Sequence, residues 1–274
     1  MIGGMSNMSG TLSQIYGANE KRLTDVMSRI ASGKRIQSPS DDFSGYVKSL
    51  GVKSSIKDYG NIKQSLLETK TDSSKAVAVG QDVYEDVAKL RELAEDYNRY
   101  AAGSDEREAA AVEFESMKTA IVQTLNNNTD VYATGAVDTV DLDPGTATNN
   151  FNVQFASASS QLVLASDITG LTTLTGTAAP ATISATALQA VDDVVTKASK
   201  FLIGAENMDK AIDRQMNLTD TVIQTQQSLV SEIEDVDDMA ELAKQTDLNI
   251  RQQAAVSMMA QANSSRQGIM RLFM

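Results

Sequence analysis

The sequence predicts a mainly α-helical chain. Its N- and C-terminal segments are expected to form a long antiparallel coiled-coil or helical rod, with a small β-hairpin insert. Three observations carry that reading. A heptad seam runs without a break through residues 62–97, and a second apolar-periodic run fills 188–240 without a proline. Between them, from Lys118 to Lys197, no basic residue occurs and the chain turns dense in Thr, Ala, Ser and Gly.

Taken from the N-terminus, Leu12, Ile15 and Tyr16 begin a helical spacing that continues through Leu23, Val26, Met27 and Ile30. Gly33 and Pro39 stop it. In the next stretch Ile62, Leu66, Thr69, Ser73, Ala76, Gly80, Val83, Val87, Leu90, Ala94 and Tyr97 alternate spacings of four and three. A helix of that length spans roughly 54 Å. Ser104-Asp105-Glu106 looks like a cap for a further amphipathic helix through Ala110, Phe114, Met117, Ile121 and Leu125. In the insert, Phe151, Val153 and Phe155 alternate with Asn152 and Gln154. Ser157 to Ser160 then reads as a turn and Gln161 to Leu164 as the second strand of a hairpin, bracketed by Pro144 and Pro180. The segment as a whole reads as a surface decoration facing solvent.

The last long run passes through Leu188, Val191, Val195, Ala198, Leu202, Ala205, Met208 and Ile212, with one three-residue stammer between Leu202 and Met208. It goes on through Thr219, Val222, Gln226, Leu229, Ile233 and Val236 to Ala240. Beyond it Met239, Ala243, Ile250, Ala254 and Met258 form one stripe, with Leu248, Val256 and Met259 off it. Such helices cannot stand alone, because one apolar seam recovers less than the entropy lost in ordering the backbone.

Composition removes whole classes of function. The 274 residues include 24 basic and 36 acidic side chains, for a net charge of −12, which disfavours binding to nucleic acid. Cysteine and histidine are both absent, so thiolate chemistry, imidazole catalysis and the usual zinc sites have no residues to use. No catalytic residue, metal site or cofactor is therefore expected. No apolar run reaches the length of a membrane span, and Met1 to Asn19 has neither the basic start nor the apolar core of a secretory signal.

The local motifs have bland explanations. Ser54-Ser-Ile-Lys57 matches an S-x-x-K tetrad without its companion elements. The acidic group Glu232, Glu234, Asp235, Asp237 and Asp238 fits a solvated face or a partner for basic side chains better than a cation site. Lys34 and Arg35 lie close in sequence to Asp41 and Asp42 and could pair with them. Met258, Met259, Met270 and Met274 suit adaptable interface packing.

The ends carry the most information. Residues 1–19 hold no charge, and Leu248 to Met274 hold three arginines (Arg251, Arg266, Arg271) and no acid. Helices this apolar, padded with Ala, Gln, Ser and Asn, are usually surrounded by protein, and one chain has too little material to surround both ends. Copies burying one another's ends would supply it.

Several segments resemble bacterial flagellins. Arg29-Ile-Ala-Ser-Gly-Lys-Arg-Ile-Gln-Ser38, followed by Asp41-Asp42 and Gly45, looks like the family's RLSSGLRINSAKDDAAG motif. Ile233-Glu-Asp-Val-Asp237 looks like its IEDAD element, and Gln252-Gln-Ala-Ala-Val-Ser-Met-Met-Ala-Gln-Ala-Asn263 like its QQAATAMLAQAN element. Lys89-Leu-Arg-Glu-Leu-Ala94 is similar to its RVRELA segment. Pro39-Ser40 departs from the family pattern toward the hook–filament junction protein, whereas the Ala-Gln-Ala-Asn signature favours the filament subunit.

The resemblance implies a non-enzymatic structural subunit, exported unfolded through the flagellar type III channel and assembled into the extracellular filament for swimming motility. It implies an inner terminal coiled-coil domain from 1–44 plus 234–274, a helical rod domain from 45–130 plus 187–233, and the insert at 131–186. The expected partners are many identical copies, with an export chaperone, the filament cap and hook–filament junction proteins. The expected interface residues are Leu12, Ile15, Leu23, Val26, Ile30, Arg35, Ile250, Ala254, Met258 and Ala262. Lys89, Arg91 and Leu93 match family positions recognised by an innate-immune receptor, which makes that host receptor a candidate partner. The alternatives are the hook–filament junction protein and a secreted coiled-coil protein acting on a host receptor as a monomer.

Overall fold

A computed structural model describes residues 2–132, 138–142, 150–156, 158–176 and 179–273, without the side chains of 2–9, 159, 266 and 269–273. Pro144, Ser157 and the side chains of Arg266, Met270, Arg271 and Met274 lie outside the described residues. The elements are α1 (Ile2–Ser32), α2 (Phe43–Arg99), α3 (Asp105–Asn127), β1 (Asp138–Asp141), β2 (Asn150–Val153), α4 (Ala165–Thr169), α5 (Ala185–Glu234) and α6 (Asp238–Phe273). The fold is mainly helical, with long helices paired antiparallel. The chain divides into two units, residues 56–224 and residues 1–55 with 225–274.

In the unit of residues 56–224, every seam position of α2 from Ile62 to Tyr97 is buried. Salt bridges set the antiparallel register against α5: Lys63 to Asp220 at 2.6 Å, and Lys70 to Asp209 and Asp213 at 2.8 Å each. Gly80 belongs to the seam because Phe201 stands over it, and a Cβ there would meet the ring at 3.0 Å. The Ser104 hydroxyl caps α3 by accepting from the Arg107 amide, and Asp105, Glu106 and Glu108 sit in its positively polarised first turn. Ala110, Phe114, Ile121 and Leu125 then face the core.

Three expectations are corrected within this unit. The buried line of α5 runs through Val191, Val194, Ala198, Phe201, Ala205 and Ile212, with Val195 and Leu202 half-buried at its edge. With Phe201 in the line the spacing is regular and the stammer disappears. The hairpin pairs β2 with β1, in register Val140 opposite Phe151, and not with residues 161–164. Leu162 and Val163 instead pass through the core as irregular chain, with the Val163 amide donating to the Tyr132 hydroxyl at 3.3 Å. Finally, the insert is more than a solvent-facing decoration. Its Val153, Phe155, Leu162, Val163, Ile168, Leu171, Leu174 and Ile183 join the core formed by α2, α3 and α5. Its Thr and Ser side chains mask that role in the composition.

In the other unit, α1 and α6 pack antiparallel, with Arg29 facing Glu241 at 3.7 Å. A fourth correction falls here. The run that the periodicity carried from Leu188 to Ala240 ends as α5 at Glu234, and α6 starts at Asp238. Asp237 is the reason: its carboxylate accepts the amides of Met239 and Ala240, both at 3.1 Å, and so caps a new helix.

Candidate assembly surface

The helix pair α1/α6 has two different faces. Toward one another the helices present Leu12, Tyr16, Asn19, Leu23, Val26 and Ile30 from α1, and Glu241, Gln245, Leu248, Gln252, Ala255, Met259 and Ala262 from α6, all buried or half-buried on four-three spacing. This seam is narrow and partly polar. Away from it stand apolar side chains with nothing on them. Met239 is 78 % exposed, Ile250 60 % and Met258 54 %, and Ile15, Met27, Leu242 and Val256 are exposed as well. Each large apolar side chain gains about 1.5–3 kcal/mol when fully covered, so this outward face is primed for association.

Of the interface residues expected from sequence, Leu12, Leu23, Val26, Ile30 and Ala262 point into the intrachain seam, whereas Ile15, Ile250, Ala254 and Met258 point outward. Arg35 donates from its guanidinium to the Ile233 carbonyl at 2.7 Å and lies 3.9 Å from Asp42. Ser54 and Lys57 are exposed on α2.

The loop between α1 and α2 is built by its own side chains. Gly33 has a positive φ of 68°, which ends α1 at little cost for a residue without Cβ. The Asp41 carboxylate accepts the amides of Gln37 at 3.1 Å and Ser38 at 2.9 Å, and these bonds hold it below the ordinary carboxylate range. Asp42 caps α2 by accepting the Gly45 amide at 2.9 Å, and a Cβ on Gly45 would fall 2.6 Å from both Asp42 and Ile36.

This loop is bonded to the break between α5 and α6. The amides of Arg35 and Val236 donate to the carbonyls of Glu234 and Gly33, at 2.6 and 3.1 Å, in a short antiparallel bridge. Beneath it the Glu234 carboxylate, only 3 % exposed, receives Lys34 at 3.2 Å and Lys53. Burial alone would raise its pKa, but the hydrogen bonds from Lys53, Ser49 and Lys34 outweigh it and hold the group at about 2. Lys53 was not legible as a partner, since α2 brings it to Glu234 across most of the chain. Glu234 itself was visible only as one acid among several.

A carboxylate held below its unfolded value of 4.5 stabilises the fold fully above that pH and loses its effect as pH falls toward 2. Glu234→Gln is therefore expected to cost about 2–3 kcal/mol at pH 7 and almost nothing near pH 2. Urea titrations at several pH values read this directly, and equal losses at pH 7 and pH 2 would remove the electrostatic account.

The remaining candidates lie elsewhere. Lys89 pairs with Glu113 at 2.8 Å, Arg91 is bonded to Asp192 and Glu95, and Leu93 is buried at 8 % exposure, so the three do not share one accessible face. Among the described residues no cluster of acidic side chains is arranged to hold a metal ion, and no helix is long and apolar enough to cross a membrane.

Comparison with known proteins matches this architecture to a family. Residues 185–273, comprising α5 and α6, match the model of the bacterial flagellin C-terminal helical region. The chain is 28 % identical to flagellin from Listeria monocytogenes over 273 residues, covering 93 % of each chain. It is also 25 % identical to flagellin from Halalkalibacterium halodurans over 93 % of each, and 22 % identical to flagellin FljO from Caulobacter vibrioides over 99 % of each. The chain is thus similar to flagellins over nearly its whole length. Flagellins are structural, non-enzymatic subunits of the extracellular flagellar filament. In this chain the loop motif from Arg29 to Gly45 and the Ile233–Asp237 element are the two sides of the bonded junction.

Proposed function

We propose that the chain is a flagellin that builds its filament by coupled folding and assembly, in which 1–44 and 234–274 form an inner coiled-coil layer. There Ile15, Ile250, Ala254 and Met258 pack against sister subunits, and Leu12, Leu23, Val26, Ile30 and Ala262 hold the α1/α6 pair that presents them. Residues 45–130 and 187–233 form the rod that contacts neighbours outside this layer, with 131–186 capping it. The observation that supports this is the unpartnered apolar stripe of α6, centred on Ile250 at 60 % exposure. An export chaperone, the filament cap and hook–filament junction proteins are the other partners.

Substituting Ile250→Asp together with Met258→Asp tests the reading. Both side chains point away from the intrachain seam, so the monomer should keep its helical circular dichroism while seeded polymerisation is lost. Burying two carboxylates in a close-packed layer costs several kcal/mol per contact. Long tubes of the double variant in negative-stain micrographs would overturn the proposal. Short stubs from the unsubstituted protein would favour the junction protein instead.

A further inference from the structure

Among the described residues outside the terminal helices, two exposed apolar faces differ in the charge beside them. The first is the start of α2. Phe43 is 70 % exposed, and Val47 and Leu50 continue from it on four-three spacing to Ser54 and Lys57. Residues 43–57 contain Lys48, Lys53 and Lys57 and no acid. Lys53 is taken by Glu234, which leaves Lys48 and Lys57 exposed beside the apolar stripe.

The second face is the outer side of α3, where Val112 is 57 % exposed within a shallow depression walled by Asp105, Glu108 and Glu113. The basic residues of α3 turn inward. Arg107 lies over the Tyr97 ring at 4.0 Å and donates to Ala181, and Lys118 donates to the Leu171 carbonyl at 3.1 Å. The exposed charge of α3 itself is therefore acidic, and because Glu113 is already paired with Lys89 of α2 at 2.8 Å, Asp105 and Glu108 carry the acidic character of this face.

One face is apolar and basic, the other apolar and acidic, and both belong to the same chain. We infer that the Phe43–Lys57 face of α2 docks on the Asp105–Ser116 face of α3 of a second copy. Two different surfaces that complement each other across copies make a head-to-tail contact, which repeats without closing and so suits an open helical polymer. Phe43, Val47 and Leu50 supply the apolar area against Val112 and Ala109, while Lys48 and Lys57, about 14 Å apart along their helix, lie over the acidic stretch that Asp105 and Glu108 begin. The inference rests on the filament reading and assigns it a second contact, separate from α1 and α6.

Complementary charge reversal tests it with the full chain. One variant carries Lys48→Glu and Lys57→Glu, the other Glu108→Lys and Ser116→Lys. All four positions are exposed, and melting curves check that both variants fold. Sheared filaments of the unsubstituted chain serve as seeds, and pelleting measures the critical concentration. Each variant alone places like charges opposite one another and should raise that concentration about tenfold or more at low salt. An equimolar mixture restores opposite charges at every contact and should return to within about twofold of the unsubstituted value. Variants that polymerise alone as readily as the unsubstituted chain, or a mixture no better than either variant, would overturn the contact. Failure of the unsubstituted chain itself to polymerise would overturn the filament reading and the contact with it.

Discussion

Deletion of residues 255–274 is expected to leave a soluble, largely folded monomer that no longer polymerises. The antiparallel pairing that puts Arg29 beside Glu241 carries the end of α6 along the beginning of α1. The deletion removes Ala255, Met259 and Ala262 from the seam and Val256 and Met258 from the outer face. About 28 Å of helix is lost, and with it the partner of the first half of α1. A lone helix of that length, uncharged and rich in Gly and Ser, does not hold its shape in water. The core formed by α2, α3, α5 and the insert contains none of the deleted residues, so its melting transition should stay where it is. Pelleting after seeding and calorimetry of the same sample measure both halves. Normal filament growth from the truncated chain would refute coupled folding and assembly.

The second large effect is expected from Phe201→Ala. Phe201 is fully buried, its ring lies 4.0 Å from that of Tyr132 and 6.5 Å from that of Phe155, and it covers Gly80 on α2. It thus joins α2, α5 and the insert at one point. Removing the ring opens a cavity that rigid helices cannot close, at a cost of about 3–5 kcal/mol, or a fall in melting temperature of roughly 6–20 °C. Leu202→Ala, at the half-buried edge, should cost clearly less. Equal losses at the two positions would restore the register suggested by the spacing of Val195 and Leu202.

That register shows what periodicity alone can and cannot tell. The seam of α2 was legible to the residue because its buried line holds small and apolar side chains and its other faces are charged. In α5, Val194-Val195 and Phe201-Leu202 are adjacent apolar pairs, and spacing cannot choose between neighbours. The choice is made by Gly80, which leaves room for a ring and lies on another helix. The hairpin partner failed for a similar reason. Gln161 to Leu164 is more apolar than Asp138 to Asp141, yet its leucine and valine are needed in the core, and Val140 suffices for the strand. The helix break at 235–237 was hidden because Val236, Met239 and Ala240 keep helical spacing across it. Asp237 was the available signal, an acid placed to cap the start of α6. The outward stripe of α6 was readable as apolar, but which of its residues served the intrachain seam was not. Leu248 and Ala255, rather than Ile250 and Met258, face α1, because the seam follows α1 and not the strongest hydrophobic line.

The short bridge between residues 33–36 and 234–236 also bears on mechanics. A spinning propeller transmits torque through every subunit, and a chain whose helices stop at one level would be weakest there. The two stops are bonded to each other by peptide groups running in opposite directions, so a load on one side of the junction is passed to the other. The place where regular helix gives out is thereby the place where the two halves of the polypeptide share the strain.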